Sequence, residues 1–184
     1  SVTKGYGDTS AEAMQKAADL AFETVKLGQT TFPELASSIG RVIPLAQTMG
    51  VTQEELFGAT ATLTGVTGGT AEVMTQLRGT MQGFLTPTDQ MTKAIKRAGY
   101  ANATAMLESE GLQGSLELLK KSVGGNEMAF ANLFGSVEAK NAVLALTGAQ
   151  AENLTEKTWA MYEATGAANR AFEAQTDNVD SLMG

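Results

Sequence analysis

The amino-acid sequence predicts an all-α fold, a compact multi-helix domain of about seven to ten helices. Apolar residues recur at helical spacing along most of the chain, and no strand-like alternation of useful length appears. Many of the 20 glycines fall where helices should end, a position that glycine favours. Charged residues make up only 18% of the chain, below the roughly 25% typical of soluble domains. Many helix surfaces are therefore expected to pack against other surfaces.

These signals place the helices in chain order. The predicted spans are 9–27, 32–49, 53–63, 71–85, 87–97, 104–108, 112–123, 126–133, 137–146 and 149–183. Asp8 or Thr9 is predicted to cap the first helix, because short polar side chains accept hydrogen bonds from free backbone N–H groups. The packing side of this helix is predicted to be a stripe of mostly small residues: Met14, Ala17, Ala18, Ala21 and Val25.

Capping chemistry marks the starts of the next helices. Thr31 with Glu34, and Thr52 with Glu55, each match the capping box, in which the two side chains satisfy each other's backbone N–H groups. Pro44 falls inside the second predicted helix and should kink it, because proline lacks the N–H that the helix needs. The segment from 50 to 83 is thus predicted to be two amphipathic helices with a glycine break.

Gly68 and Gly69 form that break, and Thr70 is predicted to cap the helix that follows. Gly79 and Gly83 lie one turn apart on this helix, a spacing that permits close approach of another helix. We interpret the pair as a site of close helix packing inside the domain, with a contact between protomers as the alternative. Two later helices also have predicted caps. Thr86, with Asp89 at the capping-box position, caps one, and Ser136 caps the other.

The last predicted helix carries a heptad pattern. Its positions alternate in steps of four and three, with polar interruptions: Leu154, Thr158, Met161, Thr165, Ala168, Phe172, Gln175, Val179 and Leu182. Met161, Phe172, Val179 and Leu182 are the candidate self-association seam of a coiled coil. The alternative is an amphipathic helix that packs on the domain. We therefore predict a core domain over 1–148 and a helical extension over 149–184. In the coiled-coil interpretation, the extension is the start of a longer coiled coil.

Composition removes most catalytic chemistry. The chain has no histidine, the commonest general base and the commonest metal ligand. It has no cysteine either, so no thiolate is available as a nucleophile or as a metal ligand. Ser115 and Ser122 are predicted to be surface residues of a helix. The paired carboxylates, Glu54–Glu55 and Glu108–Glu110, are interpreted as helix-start and solvated residues. No catalytic residue, cofactor-binding residue, metal ligand or cofactor is predicted.

The charge balance argues against nucleic acid as a partner. The net charge is -7, whereas binding to phosphates needs a cationic surface. Lys93, Lys96 and Arg97 are the nearest approach to a basic patch and are interpreted as solvated. No apolar run approaches the roughly 20 residues of a membrane span, and no secretory signal is predicted. We expect the chain to be a piece of a longer protein.

The order of these elements resembles the helical core domain of tail tape measure proteins from tailed bacteriophages and prophages. The resemblance covers roughly residues 6–175 and is carried by six segments in order: YGDTSAEAMQKAADLAFETVKLG, TFPELASSIGRVIPLAQTMGVTQEELFGATATLTG, GGTAEVMTQLRGTM, LTPTDQMTKAIKRAGY, GLQGSLELLKK and LFGSVEAKNAVLALTG.

The resemblance implies a structural role without catalysis. Family members are long helical proteins around which tail tube subunits assemble, and their length sets the tail length. The implied partners are tail tube proteins, tail-tip or baseplate proteins, tail assembly chaperones and further copies of the chain. The implied location is the lumen or tip of the virion tail, and the host cytoplasm during assembly. The family has no active-site motif in this region.

Two other function classes stay open from sequence. One is a helical protein-binding or adaptor module of bacterial origin, such as a secretion chaperone, which would hold a partner helix in a groove. The other is a fragment of a lytic or membrane-active enzyme. Within the tail hypothesis, the frequent helix breaks predict a compact module rather than an extended ruling segment. Such a module would anchor the ruler, self-associate or be delivered to the cell envelope.

Overall fold

Helices make up most of the chain that the structure, a computed structural model, describes: Tyr6 and residues 10–166. Within those residues there are ten α-helices and one short 3₁₀ turn at Ile39–Arg41. The α-helices are α1 (Ala11–Leu27), α2 (Phe32–Ser38), α3 (Ile43–Met49), α4 (Gln53–Leu63), α5 (Thr70–Leu85), α6 (Asp89–Arg97), α7 (Ala103–Ser122), α8 (Glu127–Ala131), α9 (Val137–Thr147) and α10 (Ala151–Ala164). The all-α prediction is confirmed.

Helix α4 lies at the centre of the fold. Every residue from Leu56 to Leu63 is buried, because α10 and α1 pack against α4 and against each other. A helix that is covered on all sides needs no polar face. The prediction that α4 is amphipathic is therefore wrong. Gly58 brings α10 close, since a Cβ atom at this glycine would lie 2.9 Å from Thr158 Cα.

Helix α5 forms a second layer with α9, α2 and α3. Its glycines face the chain that leads into α9: a Cβ at Gly79 would lie 2.9 Å from Ser136 Oγ, and one at Gly83 would lie 2.8 Å from Phe134 Cδ1. Phe134 is fully buried and meets the rings of Phe84 and Phe130 edge to face, at centroid distances of 5.6 and 6.1 Å. Such aromatic pairs add packing energy beyond the area that they bury.

Helix α1 packs mainly through a different face from the predicted one, although Ala21 of the predicted stripe also contacts the core. Leu20 and Thr24 are buried, whereas Met14 is 61% exposed and Ala18 is exposed as well. Thr24 tolerates burial because its hydroxyl donates to the Leu20 carbonyl over 2.7 Å, so no polar group is left unsatisfied. The stripe that began at Met14 was predicted from apolar character alone, and Leu20 buries more surface than any alanine.

Several helix starts also differ from prediction. Ser10, not Asp8 or Thr9, caps α1 by accepting from the Ala13 N–H. The predicted helix 32–49 is divided, because Pro44 lies in the first turn of α3 and cannot donate to a preceding turn. Gly69 precedes α5 without a side-chain cap, so the cap predicted at Thr70 is wrong.

At the start of α6, Thr88 accepts from the Met91 N–H, so the cap predicted at Thr86 lies two residues too early. The capping box of Thr52 and Glu55 is confirmed. Thr31 caps α2 by accepting from the Glu34 N–H, but the Glu34 side chain accepts from the Thr70 hydroxyl, so only half of that predicted capping box forms. These caps succeed in prediction because donor and acceptor lie within four residues of each other in sequence.

Helix α7 joins two predicted helices. The span breaks at Gly111, whose φ of 75° lies in the left-handed region that glycine adopts without strain. Ser115, predicted at the surface, is fully buried, and its hydroxyl donates to the Met106 carbonyl across this break at 3.3 Å. The surface prediction for Ser115 is wrong because the break at Gly111 brings its hydroxyl next to the Met106 carbonyl.

Candidate functional site

The described chain enters and leaves the fold at one place, the amino-terminal end of α4. The Tyr6 hydroxyl donates to the Val51 carbonyl over 3.1 Å. The Thr165 hydroxyl, directly after α10, donates to Glu54 Oε1 over 3.3 Å. Val51 and Glu54 are only three residues apart. We call this cluster the entry–exit junction: Tyr6, Lys16, Thr52, Glu54, Glu55, Tyr162 and Thr165.

Glu54 holds the junction together. Its side chain is only 3% exposed, and Lys16 Nζ of α1 lies 2.8 Å from the Oε1 atom that also accepts from Thr165. A buried carboxylate is costly unless a cation or hydrogen-bond donors compensate it. The Glu54 carboxylate therefore ties α1 and the end of α10 to α4.

The neighbouring Glu55 points to other partners. It accepts from the Thr52 N–H over 3.0 Å in the capping box, and its second oxygen accepts from the Leu112 N–H directly after the break in α7. The Tyr162 hydroxyl of α10 lies 3.0 Å from Thr52 Oγ1. The start of α4 is thus hydrogen-bonded to α7 through Glu55 and to α10 through Thr52.

Both phenols of the junction stay protonated at neutral pH. Burial raises the pKa of Tyr6, and the carboxylates of Glu55 and Glu54 raise it further. Burial also raises the pKa of Tyr162 to about 12, against the lowering effect of its hydrogen bond with Thr52. Tyr6 can therefore serve as the hydrogen-bond donor that its contact with Val51 requires.

An acidic groove of about 600 Å³ opens beside the junction, between α7 and α10. Its wall residues include four carboxylates and two aromatic side chains: Glu55, Glu108, Glu110, Glu117, Trp159 and Tyr162. Glu110 accepts from the Tyr100 hydroxyl, and the Trp159 indole N–H donates to Glu163 over 2.8 Å. The groove presents carboxylates to solvent, and none of the described residues on its walls is cationic.

The arrangement of the acids does not resemble a catalytic pair. Glu54 and Glu55 bind different partners on different sides of α4, whereas paired-carboxylate hydrolysis needs two groups that face one substrate. The residues that the structure describes contain no group of three or more potential metal ligands. No described helix is long and apolar enough to cross a membrane. Lys93, Lys96 and Arg97 are exposed.

The predicted self-association seam is divided by the structure. Met161 is fully buried within the fold, 3.9 Å through its sulfur from the Thr24 hydroxyl. Phe172, Val179 and Leu182 lie outside the described residues, so their role stays a prediction. The domain boundary at 148 also stays a prediction, although α10 packs on α4 and α1.

The sequence analysis missed Gly58 and the ion pair of Lys16 with Glu54. A glycine inside an otherwise good helix is a recognisable sign of close packing, so Gly58 carried a usable signal. The ion pair carried none, because its partners lie on different helices and Glu54 stands beside the capping residue Glu55. A buried acid at a helix start has the same local sequence as a solvated one.

Comparison with known proteins shows that this chain is similar to phage tail proteins. A family model described as "Phage-related minor tail protein" matches residues 1–135. The chain is 28% identical over 169 residues to the "Probable tape measure protein" of Clostridium phage phiCD119, covering 88% of this chain and 18% of that protein. It is 28% identical over 157 residues to the "Tape measure protein" of Pneumococcus phage Dp-1, covering 82% and 13%.

The chain thus spans less than a fifth of the length of these two relatives. No solved structure matches it. The family model covers most of the chain, including helix α5 and the junction residues from Tyr6 to Glu55, whereas Tyr162 and Thr165 lie beyond the matched range. The chain therefore belongs to the family of phage-related minor tail proteins.

Proposed function

We propose that this chain is a domain of a tail tape measure protein, a structural component of the phage tail without enzymatic activity. Both relatives described above carry the name tape measure protein, and the sequence similarity to each covers most of this chain. In this role the parent protein helps set tail length and templates assembly of the tail tube. Membership of a structural tail family supports the absence of catalysis.

Within the parent protein, this domain serves as a compact anchoring module rather than as part of the ruler. The observation that carries this proposal is the entry–exit junction, where Tyr6 and Thr165 bond to residues in the same turn of chain. A ruling segment must gain length with every residue, at about 1.5 Å each in a helix. A domain whose first and last described residues both bond to the start of α4 adds little to that length.

The partners of such a module are tail-tip or baseplate proteins, tail tube subunits and tail assembly chaperones. It would occupy the lumen or tip of the virion tail, and the host cytoplasm while tails are built. Family membership supports partners in tail assembly. The alternative hypothesis, an adaptor of bacterial origin, is not favoured by that membership.

We also retain the seam of Phe172, Val179 and Leu182 as the place where copies of the parent protein join. Their heptad spacing supports this role. Phe172→Asp or Val179→Asp should lower the mass measured by light scattering if the chain forms oligomers through the seam. The helical circular dichroism of the domain should persist. An unchanged oligomer mass would remove the seam from consideration.

The anchoring role is tested by replacing residues 11–164 in the parent gene with a short Gly-Ser linker and measuring tails by electron microscopy. Tyr6 and Thr165 both bond to the start of α4, so a short flexible linker is the natural replacement. An anchor predicts loss of tails, or tails of disturbed tip structure, without a proportional change in length. Tails shorter by about 230 Å, the helical length of the removed residues, would overturn the proposal.

A matched control removes the same number of residues from an extended helical part of the parent gene. That deletion should shorten tails by about 230 Å, which establishes that the ruler reports length in this phage. Normal tails of normal length after the first replacement would contradict an anchoring role.

A further inference from the structure

A second groove, of about 420 Å³, lies between α6 and the segment around α8 and carries positive charge. Lys93 and Arg97 stand one turn apart on its α6 wall. The remaining wall residues are uncharged: Gln90, Val123, Ala129, Asn132 and Leu133. We call this the basic groove. Neither Lys93 nor Arg97 belongs to an ion pair in the described part of the chain.

The charges around the basic groove keep it positive. Lys96 and Asp89 lie on the outer side of α6, one turn or more from the groove wall, and offset each other. Lys140 of α9 donates to an amide oxygen on the groove wall over 3.2 Å. The carboxylate of Glu127 on α8 is already occupied, since Lys120 Nζ lies 3.8 Å from it. Cations therefore outnumber carboxylates around this groove.

The acidic groove described above has the opposite character, on its walls and beyond them. On α10, the side that holds Trp159 also holds three exposed glutamates at helical spacing: Glu152, Glu156 and Glu163. Lys157 and Lys16 are engaged elsewhere, with a carbonyl oxygen and a carboxylate of α4. Lys121 follows Glu117 by one turn of α7 and adds one cation at the edge of the groove. The groove as a whole is strongly acidic.

These two grooves are complementary to each other and share no wall residue. Each copy of the chain therefore presents an acceptor for cations and, separately, a donor of them. Trp159 is 43% exposed, and an aromatic ring beside carboxylates is a favourable partner for a guanidinium group. The net charge of -7 opposes a polyanion such as nucleic acid as the partner of the basic groove. A second copy of the chain supplies the matching surface.

We propose that the basic groove of one copy binds the acidic groove of the next copy in a head-to-tail contact. The α6 wall enters the acidic groove, where Lys93 and Arg97 meet Glu108 and Glu117 and the guanidinium group stacks on Trp159. The Trp159 side of α10 enters the basic groove in return. Because two different surfaces meet, every pair of copies keeps one of each groove free. Association then continues into a ring or a filament.

The contact is expected to be weak and sensitive to salt. Pairs of exposed charges contribute little individually and are screened by ions, and the net charge of each copy opposes association. We expect a dissociation constant of about 0.1 mM at 50 mM salt, and one at least threefold higher at 500 mM salt. The inference rests on the two grooves and does not depend on the tail role. Its failure would leave the proposed function untouched.

Complementary variants test the head-to-tail geometry by sedimentation equilibrium of the full chain. Every protein also carries Phe172→Asp, which removes any contact through the proposed seam. The first variant, Lys93→Glu with Arg97→Glu, keeps only the acidic groove. The second, Glu108→Gln with Glu117→Gln, keeps only the basic groove. Each alone should have a dissociation constant at least tenfold higher, whereas an equimolar mixture should form a 1:1 dimer and nothing larger.

Matched controls change the net charge equally at exposed positions outside both grooves. They are Lys26→Glu with Arg41→Glu, and Glu12→Gln with Glu72→Gln. Both controls should associate as the Phe172→Asp protein does, with an average mass that rises beyond that of a dimer. The fluorescence of Trp159, the only tryptophan of the chain, should change as the groove fills. Circular dichroism verifies that each variant is folded.

Three outcomes would overturn the proposal. One is a Phe172→Asp chain that stays monomeric at 300 µM in 50 mM salt. Another is a mixture of the two groove variants that forms no dimer. The last is equal weakening by the groove variants and by their matched controls, which would reduce the effect to net charge. Binding of duplex DNA at Lys93 and Arg97 by a chain that stays monomeric would assign the basic groove to phosphate groups instead.

Discussion

At the scale of single residues, the Lys16–Glu54 pair shows how a charge can be buried in this fold. Glu54 is almost fully covered, while Lys16 reaches it from α1 with its side chain 39% exposed. The lysine therefore loses little hydration, and the carboxylate gains a cation and the Thr165 hydroxyl. This asymmetry makes the pair more favourable than one in which both charges are buried.

Removing the cation should leave the buried carboxylate poorly compensated. We expect Lys16→Ala to lower the free energy of unfolding by about 1–3 kcal/mol, measured by urea denaturation. Lys26→Ala is the control, because Lys26 is exposed and lies 3.9 Å from Glu23. Its cost should stay below about 0.5 kcal/mol. Equal costs for the two variants would contradict the role assigned to Glu54.

Alkaline pH should destabilise the fold through Tyr6 and Tyr162. Their pKa values are raised in the folded state, so above about pH 10 the unfolded state loses protons that the folded state keeps. The contribution of the two tyrosines to the free energy of unfolding is therefore fully present below about pH 10 and falls as the pH rises toward 12. The double variant Tyr6→Phe, Tyr162→Phe should lose less stability between pH 9 and 11.5 than the unmodified chain, measured by thermal unfolding. Identical pH profiles of the two proteins would exclude these phenols as the cause of the loss of stability at alkaline pH.

Residue chemistry was predictable where it is local. The Thr52 and Glu55 side chains cap α4 as their spacing predicts, because both partners lie within one turn. The interpretation of Glu54 as a solvated helix-start residue was wrong, since the side chain is buried and its partners Lys16 and Thr165 lie on other segments. Burial of Ser115 likewise depends on the bend at Gly111, and spacing along one helix cannot report such a bend.

At the scale of elements, the presence and span of the helices were predicted better than the faces through which they pack. The spans of α4, α5 and α9 agree with prediction within a residue, because capping residues and glycines are sequence-local signals. The packing side of α1 was not predicted, since small apolar residues surround much of that helix. The complete burial of α4 was also missed: its threonines bond back to their own helix, as Thr60 does to the Leu56 carbonyl, and so can be buried.

Gly58 is the element-scale test, because it sets the distance between α4 and α10. Gly58→Ala would place a methyl group 2.9 Å from Thr158 Cα, which is backbone and cannot rotate away. We expect a loss of about 1–3 kcal/mol in unfolding free energy from overpacking. Gly114→Ala, inside α7, is the control, since its Cβ would meet only Glu110 Cβ at 3.4 Å.

The control substitution should leave stability unchanged or raise it by up to about 1 kcal/mol, the helix preference of alanine over glycine. Tryptophan fluorescence offers a second measurement, because Trp159 lies on α10 one residue after Thr158. A Gly58→Ala variant as stable as the Gly114→Ala variant would show that α10 is not held against α4 at this distance.

At the scale of the whole molecule, the fold class and the family were predictable and the chain path was not. Helical periodicity and the order of motifs are properties of the sequence read from one end to the other. The entry–exit junction depends on contacts between Tyr6, Val51, Glu54 and Thr165. These residues are far apart in sequence, and no local pattern relates them.

Solution scattering distinguishes the two forms that this chain could take in a tail. A folded chain of 184 residues should have a radius of gyration of about 16–20 Å. A continuous helix of that length would extend about 280 Å and give a radius of gyration of roughly 80 Å. We expect the smaller value. A rod-like profile would contradict the anchoring module and return this segment to the ruler.

The junction has a mechanical consequence as well. Tension applied through the chain on either side of the described domain would act at Tyr6 and Thr165, which are attached to the same end of α4. Such a load opens contacts one after another, beginning with the two hydrogen bonds and then separating α1 from α10, instead of shearing whole helices at once. The domain should therefore yield at low force, turn by turn, and let its chain be drawn out through a narrow opening.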